Sequence, residues 1–226
     1  MRRLHRIHPS IAMPVTAGEG IEFASCFVYS PYGTDANSEY SRSICRRAKT
    51  TDAEWLPRYV ETVRDHCGPQ GVLSGLFTED ALVVPVPTHL RCTRRLLWGA
   101  SCLASALHAI GLPTEPWRGL RRVWEVRKSS TAAAVLGRPS VRAHYESFAV
   151  QEPGRRVARI VLVDDVVSTG RTLLAAWIRL REAFPGAQIQ AFALIRTLGF
   201  VRTIPRLVVP CRGRIIWTGT DAWRDP

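Results

Sequence analysis

Apolar positions in the middle and later parts of the chain follow two periods, which alternate along the sequence. Ala81–Val86 is a short apolar run that predicts a buried strand, and Thr93–Ile110 then repeats apolar residues at helical spacing. Arg159–Val163 predicts a second strand, Arg171–Phe184 an amphipathic helix, and Gln188–Ile195 a third strand. Strand and helix alternating at this spacing predict an α/β fold with a parallel, Rossmann-like sheet.

The N-terminal part has a weaker pattern. Thr16–Thr50 is rich in Ser, Tyr, Gly and Asn and contains only short apolar pieces, which predicts short strands and loops. Asp52 is a candidate cap for a helix that begins near Ala53.

The C-terminal part is equally hard to place. Leu207–Val209 and Arg214–Trp217 predict short strands with no assigned position in the sheet. We therefore expect residues 1–75 to form an N-terminal extension with elements of a small hood. Residues 76–226 are expected to form the core and a C-terminal tail that also contributes to the hood.

Composition narrows the class of protein. A hydrophobic fraction of 46% and a charged fraction of 22% are typical of a soluble globular domain, and no apolar run is long enough to span a membrane. The six cysteines form no CxxC pair, so the spacing indicates neither a zinc site nor a small disulfide framework. Cysteines of this kind favour a reducing compartment, and we expect a cytoplasmic protein.

The net charge of the chain is +12, and much of it is concentrated in Arg91–Arg142. This span contains ten arginine or lysine residues and only two acidic residues, both glutamates. A basic surface attracts phosphate groups, whether on a small molecule or on a nucleic acid. Because only two of the 31 basic residues are lysines, the arginine bias is also compatible with genome composition alone.

The candidate chemistry lies at the end of the second strand. The apolar run is followed directly by Asp164 and Asp165, then by a short loop of small and hydroxyl residues, and then by a helix. Ligands of open α/β sheets bind beyond the carboxyl ends of the strands, and a helix start offers free N–H groups to a phosphate. The carboxylates would repel that phosphate unless a ribose lies between them, its hydroxyls donating to the acids. Hydroxyl groups in the loop come from Ser168, Thr169 and Thr172.

This segment resembles the motif of type I phosphoribosyltransferases that binds 5-phosphoribosyl-1-pyrophosphate (PRPP). The motif is an apolar run, two acids, two apolar residues, and then Thr/Ser-Thr/Ser-Gly-x-Thr. The resemblance implies that Asp164 and Asp165 are the catalytic acids, which hold the ribose 2′- and 3′-hydroxyls. It implies Mg²⁺ bound through PRPP, with those two acids as its candidate protein ligands. The 5′-phosphate would be wrapped by Val166, Val167, Ser168, Thr169, Gly170, Arg171 and Thr172.

Further stretches are similar to ComF-like proteins, the competence-associated members of this family. Val83–Pro87 resembles their first strand end, and the loop after it binds pyrophosphate in type I enzymes, which implies roles for Thr88 and Arg91. Simple strand termination is the alternative explanation of the prolines.

Two more stretches, Leu120–Val123 and Ser147–Val150, resemble those that bracket a flexible loop in ComF-like proteins. Arg127 and Lys128 in that loop are then candidates for closing over pyrophosphate. A solvated basic loop without a catalytic role is the alternative.

The chain departs from the ComF-like pattern in three places: it lacks the N-terminal CxxC element, the Gln-containing loop and an Asn-containing stretch. The resemblance implies a phosphoribosyltransferase that displaces pyrophosphate from ribose C1 with a nitrogen nucleophile such as a nucleobase. Hood segments from Thr16–Tyr40 or from the tail after Thr197 are candidates for the acceptor pocket. The departures keep two alternatives open, a catalytically weak PRPP-binding protein that acts with nucleic acid in DNA uptake, and a partner-controlled antiphage effector. Type I enzymes are often homodimers, and a homodimer or a protein partner is expected here.

Overall fold

The computed structural model describes residues 12–50, 55–90, 98–112, 115–127, 137–151 and 154–226. These residues form a central sheet, a two-stranded ribbon and five helices. In chain order the elements are β1 (Gly20–Tyr29), α1 (Ala36–Thr50), α2 (Leu56–Asp65), β2 (Ala81–Pro85), α3 (Gly99–Ala109), β3 (Leu120–Arg122), α4 (Val141–Ser147), β4 (Phe148–Val150), β5 (Arg159–Val167), α5 (Arg171–Ala183), β6 (Gln188–Thr197), β7 (Val208–Trp217) and β8 (Ala222–Asp225).

The main sheet has six strands in the order β2-β5-β6-β1-β7-β8. The first four are parallel to their neighbours, whereas β7 runs antiparallel to β1 and β8 antiparallel to β7. Val163 of β5 lies opposite Pro85 of β2 and Phe192 of β6, so the carboxyl ends of these strands meet at one edge. The expected α/β fold is confirmed, and the sheet is mostly parallel rather than wholly parallel as expected.

Helices cover both faces of the sheet. On one face, α4, α5 and the β3–β4 ribbon enclose a cluster that includes Leu162, Tyr145 and Leu173. On the other face, α1, α2 and α3 enclose a second cluster that includes Val163 and Leu103. Because both faces are buried, the parallel strands β2, β5 and β6 contain apolar runs rather than alternating patterns, which is why these three were recognisable in the sequence.

The strand β1 differs most from the expectation. It is a single strand of ten residues that pairs with β6 on one side and β7 on the other, so it lies inside the main sheet. From the sequence, Thr16–Thr50 was expected to form short strands and loops of an extension, so the fifteen-residue helix α1 was missed as well. The strand was missed because its buried positions include Ser25 and Cys26, which do not form the apolar run that marks the other strands.

Smaller differences concern element boundaries. The helix expected near Ala53 begins at Leu56 as α2, while Asp52 and Ala53 lie outside the described residues. The two expected C-terminal strands are parts of one strand, β7. The basic loop expected to run to residue 146 contains the short helix α4, whose first turn is capped by the hydroxyl of Ser140. Among the described helices, none is long and apolar enough to cross a membrane.

Candidate functional site

The two adjacent acids lie on the carboxyl end of β5. This strand continues four residues beyond Val163 and pairs Asp164 with Ala193 of β6. One oxygen of each carboxyl is held by the backbone: Asp164 Oδ1 accepts the N–H of Asp165 at 2.9 Å, and Asp165 Oδ1 accepts the N–H of Val166 at 2.8 Å. These bonds fix the orientation of both side chains at the sheet edge.

Burial raises the pKa of Asp164 well above its ordinary value, and the negative charge and side-chain hydrogen bonding of Asp165 raise that pKa further. The hydrogen bond from the Asp165 N–H lowers the pKa but does not outweigh these effects. The positive charge of Lys49 acts in the opposite direction and offsets only part of this. Asp164 is therefore short of positive charge or of hydrogen-bond donors, which a ligand bearing hydroxyl groups or a cation would supply.

Two elements on the α1–α3 face approach the acid pair. A Cβ on Gly99, the first residue of α3, would lie 2.9 Å from the carbonyl oxygen of Ala48 and 3.4 Å from Asp165 Oδ2. The start of α3 therefore packs directly against the end of α1 and against Asp165, and the lack of a side chain permits this approach. Lys49 follows Ala48 and is exposed. Neither Gly99 nor Lys49 was predicted to belong to the site, because nothing in the local sequence indicates that α1 ends beside β5.

The loop between β5 and α5 forms one wall of a pocket. Gly170 precedes α5 with a φ of 82°, and a Cβ there would lie 2.6 Å from Ile215 Cγ2. Glycine is thus required for both its backbone conformation and its contact with β7. The first N–H groups of α5 have no acceptor within the helix. The pocket has about 340 Å³ of empty space, part of it open solvent, and is lined by Arg138, Pro139, His144, Asp164 and residues 166–173.

The side chain of Arg171 is engaged by other parts of the protein and is not left to bind a phosphate. Its Nε donates to Asp221 Oδ1 at 2.6 Å, its Nη2 pairs with Asp221 Oδ2, and its Nη1 donates to the carbonyl of Arg138 at 3.3 Å. What Arg171 offers to the pocket is therefore its backbone. The cation beside the loop is Arg138 instead, whose Nη1 donates to the hydroxyl of Ser168 at 3.2 Å.

The two valines of the motif also contribute backbone rather than side chains. Val167 is buried in the core on the α4–α5 face, and Val166 packs against the core on the other face. Their side chains hold the end of β5 between the two helical layers. Of the predicted loop, Ser168, Thr169 and Thr172 are half-buried and Gly170 is buried, and all four line the pocket.

His144 of α4 closes the pocket from the side. It is buried, and its Nε2 lies 3.5 Å from the hydroxyl of Thr172. Burial lowers the pKa of His144 to about 3, and the positive charges of Arg122 and Arg171 contribute to the same shift. The imidazole is therefore neutral at physiological pH.

The loop after β2 lies beside the segment after β3. Arg122 Nε donates to the carbonyl of Thr88 at 2.6 Å, and the N–H of Val126 donates to the carbonyl of His89 at 3.0 Å. The hydroxyl of Thr88 contacts His89 Nδ1 at 3.2 Å. The predicted pyrophosphate loop thus lies next to the segment that carries Arg127, whereas Arg91 and Lys128 lie outside the described residues.

No resident metal centre is evident in the part of the chain that the structure describes, where no three histidine, cysteine, aspartate or glutamate side chains are grouped to hold an ion. No protein-family model matches the chain, and no curated protein matches it either.

Proposed function

We propose that this protein binds PRPP and transfers its phosphoribosyl group to a nitrogen nucleophile with release of pyrophosphate, on a core of the type I phosphoribosyltransferase kind. The observation that carries the proposal is the pocket in which Asp164 lies together with Thr169, Gly170 and Thr172. It combines an acid that needs hydrogen-bond donors with a helix start that favours an anion. A ribose phosphate supplies both partners in one molecule.

The ribose is proposed to bind at the acid pair. Its 2′- and 3′-hydroxyls would donate to Asp164 and Asp165, which replaces the solvation that burial removes from Asp164. The 5′-phosphate would accept hydrogen bonds from the first turn of α5 and from the loop hydroxyls. Arg138, already bonded to Ser168, would add a positive charge at that phosphate.

The donor set also fits a hard divalent cation. Carboxylate oxygens and phosphate oxygens are the ligands that Mg²⁺ prefers, and it retains several of its waters. Asp164 and Asp165 would hold such an ion together with PRPP, and the bound Mg²⁺ would supply positive charge to the departing pyrophosphate.

The leaving group is proposed to lie between the loops after β2 and β3. Bond breaking at ribose C1 places positive charge on the sugar and negative charge on pyrophosphate, so cations fixed near the leaving group favour the transition state. Thr88 and Arg127 lie on two neighbouring segments there. Arg91 and Lys128 are proposed as further cations for the pyrophosphate on the basis of the sequence alone. Lys49 is proposed as another, because its positive charge acts on Asp164.

The nitrogen-containing acceptor is proposed to bind beside an aromatic pair at the same carboxyl edge of the sheet. Tyr32 follows β1 and Phe200 follows β6, and their rings stack at 4.8 Å with an angle of 13° between the planes. The hydroxyl of Ser30 donates to the carbonyl of Val201 at 2.6 Å, and the N–H of Thr34 donates to the carbonyl of Arg202 at 3.1 Å, which ties the two loops together. An exposed ring of this kind favours a planar nitrogen heterocycle.

The transfer reaction is tested by measuring pyrophosphate release from PRPP and Mg²⁺ in the presence of a panel of nucleobases. We expect base-dependent release by the wild type and loss of release in Asp164→Asn/Asp165→Asn. The matched control is Asp80→Asn, which removes an exposed acid that pairs with Arg159 at the opposite end of β5. Release that persists in the double variant contradicts the proposed site.

A second candidate function is favoured by the exposure of the aromatic pair. Tyr32 is 59% exposed and Phe200 is 85% exposed, and Arg202 and Arg206 in the following loop are exposed as well. Aromatic side chains interspersed with arginines are typical of surfaces on which the bases of single-stranded nucleic acid stack. On this proposal the protein would bind PRPP with little turnover and would act with nucleic acid.

This second function is tested by the fluorescence anisotropy of a labelled single-stranded oligonucleotide at two salt concentrations. Phe200→Ala is expected to weaken binding about five- to 150-fold, since one stacked base contributes about 1–3 kcal/mol. Trp223→Ala removes another exposed aromatic residue, on strand β8, and serves as the control. Equal affinities for both variants would exclude the aromatic pair as a nucleic-acid site.

A further inference from the structure

Three polar side chains from three elements meet beside the phosphate loop. Arg122 comes from β3, His144 from α4 and Thr172 from the first turn of α5. Arg122 is 2% exposed and His144 is 3% exposed, so both are withdrawn from water although their residue types are usually found at the surface or half-buried. Burying a cation next to an imidazole costs desolvation free energy, which indicates that the pair has a specific role in the protein.

Hydrogen bonds connect the three into one chain. Arg122 Nε donates to the carbonyl of Thr88 at 2.6 Å, its Nη2 lies 3.4 Å from His144 Nδ1, and His144 Nε2 lies 3.5 Å from Thr172 Oγ1. Arg122 is held in place from two further sides, by the hydroxyl of Ser147 and by the ring of Phe148, whose centroid lies 4.3 Å from the guanidinium carbon. The chain therefore runs from the loop after β2 to the loop after β5.

The direction of each hydrogen bond follows from the chemistry of the groups. A guanidinium has only donors, so the bond from Arg122 requires His144 Nδ1 to accept. In a neutral imidazole the proton then resides on Nε2, which donates to the hydroxyl of Thr172. That hydroxyl accepts through its oxygen, and its own hydrogen is left to donate elsewhere. The low pKa of His144, about 3, keeps the ring in this neutral form.

We infer that His144 is a positioning residue whose tautomer, set by Arg122, presents the hydroxyl of Thr172 as a hydrogen-bond donor to the phosphate of the ligand. The inference rests on the proposed function, because it concerns the phosphate of a bound ribose phosphate. The pocket supports it, since His144 and Thr172 both line the space beside the start of α5.

The same chain gives the two predicted ligand segments a physical link. The carbonyl of Thr88 and the hydroxyl of Thr172 are the two ends of the chain, and Arg122 and His144 lie between them. A substitution that releases Arg122 would therefore disturb both the loop after β2 and the orientation of the Thr172 hydroxyl.

The inference is tested by calorimetric titration with ribose 5-phosphate, with PRPP and Mg²⁺ as a second probe. Thr172→Val is expected to weaken ribose 5-phosphate binding about 10- to 100-fold, because it removes a hydrogen bond to a charged acceptor. His144→Asn keeps a carbonyl that can accept from Arg122 but does not reach Thr172, and an effect of roughly three- to tenfold is expected. His144→Gln extends an amide N–H to the hydroxyl and is expected to retain most of the wild-type affinity.

A double-variant cycle separates positioning from a purely structural role. If His144 acts through the hydroxyl, His144→Asn has no further effect on affinity in the Thr172→Val background. An effect of equal size in both backgrounds overturns the inference while leaving the proposed function intact. If wild type binds neither ribose 5-phosphate nor PRPP, the proposed function itself fails, and the inference fails with it.

A measurement on the unliganded wild type tests the tautomer directly. In long-range ¹H–¹⁵N spectra we expect His144 to show a protonated Nε2 and an unprotonated Nδ1, unchanged between pH 5 and pH 8. A ring that is protonated on Nδ1, or that titrates in this interval, contradicts the inference even if every variant folds poorly.

Discussion

Replacing Gly170 by alanine tests whether the loop between β5 and α5 is held as the structure describes. The backbone there has a φ of 82°, in the left-handed region, which costs an ordinary residue about 1–2 kcal/mol. The added Cβ would also lie 2.6, 2.8 and 2.9 Å from three carbons of the Ile215 side chain. Overpacking of this kind costs about 1–3 kcal/mol, so we expect Gly170→Ala to lower the free energy of unfolding by about 2–5 kcal/mol in total.

The assay is urea and thermal unfolding, with Gly186→Ala as the matched control. Gly186 has a φ of 88°, but a Cβ added there would meet no heavy atom within 4 Å, so alanine at this position incurs the backbone cost alone. A loss of about 2–5 kcal/mol corresponds to roughly 4–20 °C in Tm for a domain of this size.

Removing the partner side chain isolates the contact. In an Ile215→Ala background, which itself costs about 2–5 kcal/mol, the additional cost of Gly170→Ala should fall to that of the Gly186→Ala control. The reasoning is refuted if Gly170→Ala costs no more than Gly186→Ala, or if its full cost persists when Ile215 is alanine.

Two further predictions concern the charged groups around the pocket. Asp164→Asn should raise the free energy of unfolding at pH 7 by about 0.5–2 kcal/mol, because the neutral amide avoids the cost of holding a charge beside Asp165 in a partly buried position. The native state holds the Asp164 proton more tightly than the unfolded chain, so wild-type stability falls as pH rises above the ordinary value of 3.8. Urea unfolding at pH 7 and below pH 4 should show the advantage of the variant disappearing in acid. Asp221→Asn, by contrast, should lower the free energy of unfolding by about 1 kcal/mol at pH 7. Partial burial acts to raise the pKa of Asp221, but the hydrogen bonds and charge of Arg171 outweigh burial and lower that pKa, so the charged carboxylate stabilises the native state. Thermal unfolding that shows no loss of stability in the variant would contradict this.

The part of the fold that the sequence predicts well is the part whose contacts are local. The run from β5 into α5 is contiguous in the sequence, so its buried strand, acids, glycine and helix start can be recognised from residue types at neighbouring positions. Gly170 was expected to belong to the loop between β5 and α5, but its close contact with Ile215, 45 positions later, was not expected. The strand β1 was missed because its pairing with β6 is long-range and its buried face contains polar and small residues.

The side chains that complete the site could not be predicted for the same reason. Asp221 is 50 positions from Arg171 and His144 is 28 positions from Thr172, and neither spacing belongs to a local motif. Arg122 is a charged residue in a short stretch, for which exposure is the ordinary expectation. Only the folded chain brings Arg122 beside His144, so the sequence indicates the proposed anion-binding loop but not the residues proposed to orient it.

The central claim is that Asp164 and Asp165 form part of a PRPP site, and calorimetric titration of PRPP with Mg²⁺ tests it most directly. We predict binding by the wild type, loss of binding by Asp164→Asn/Asp165→Asn, and unchanged binding by Asp80→Asn, all with intact folding. Absence of binding by folded wild type, or equal binding by the double variant, would contradict the account.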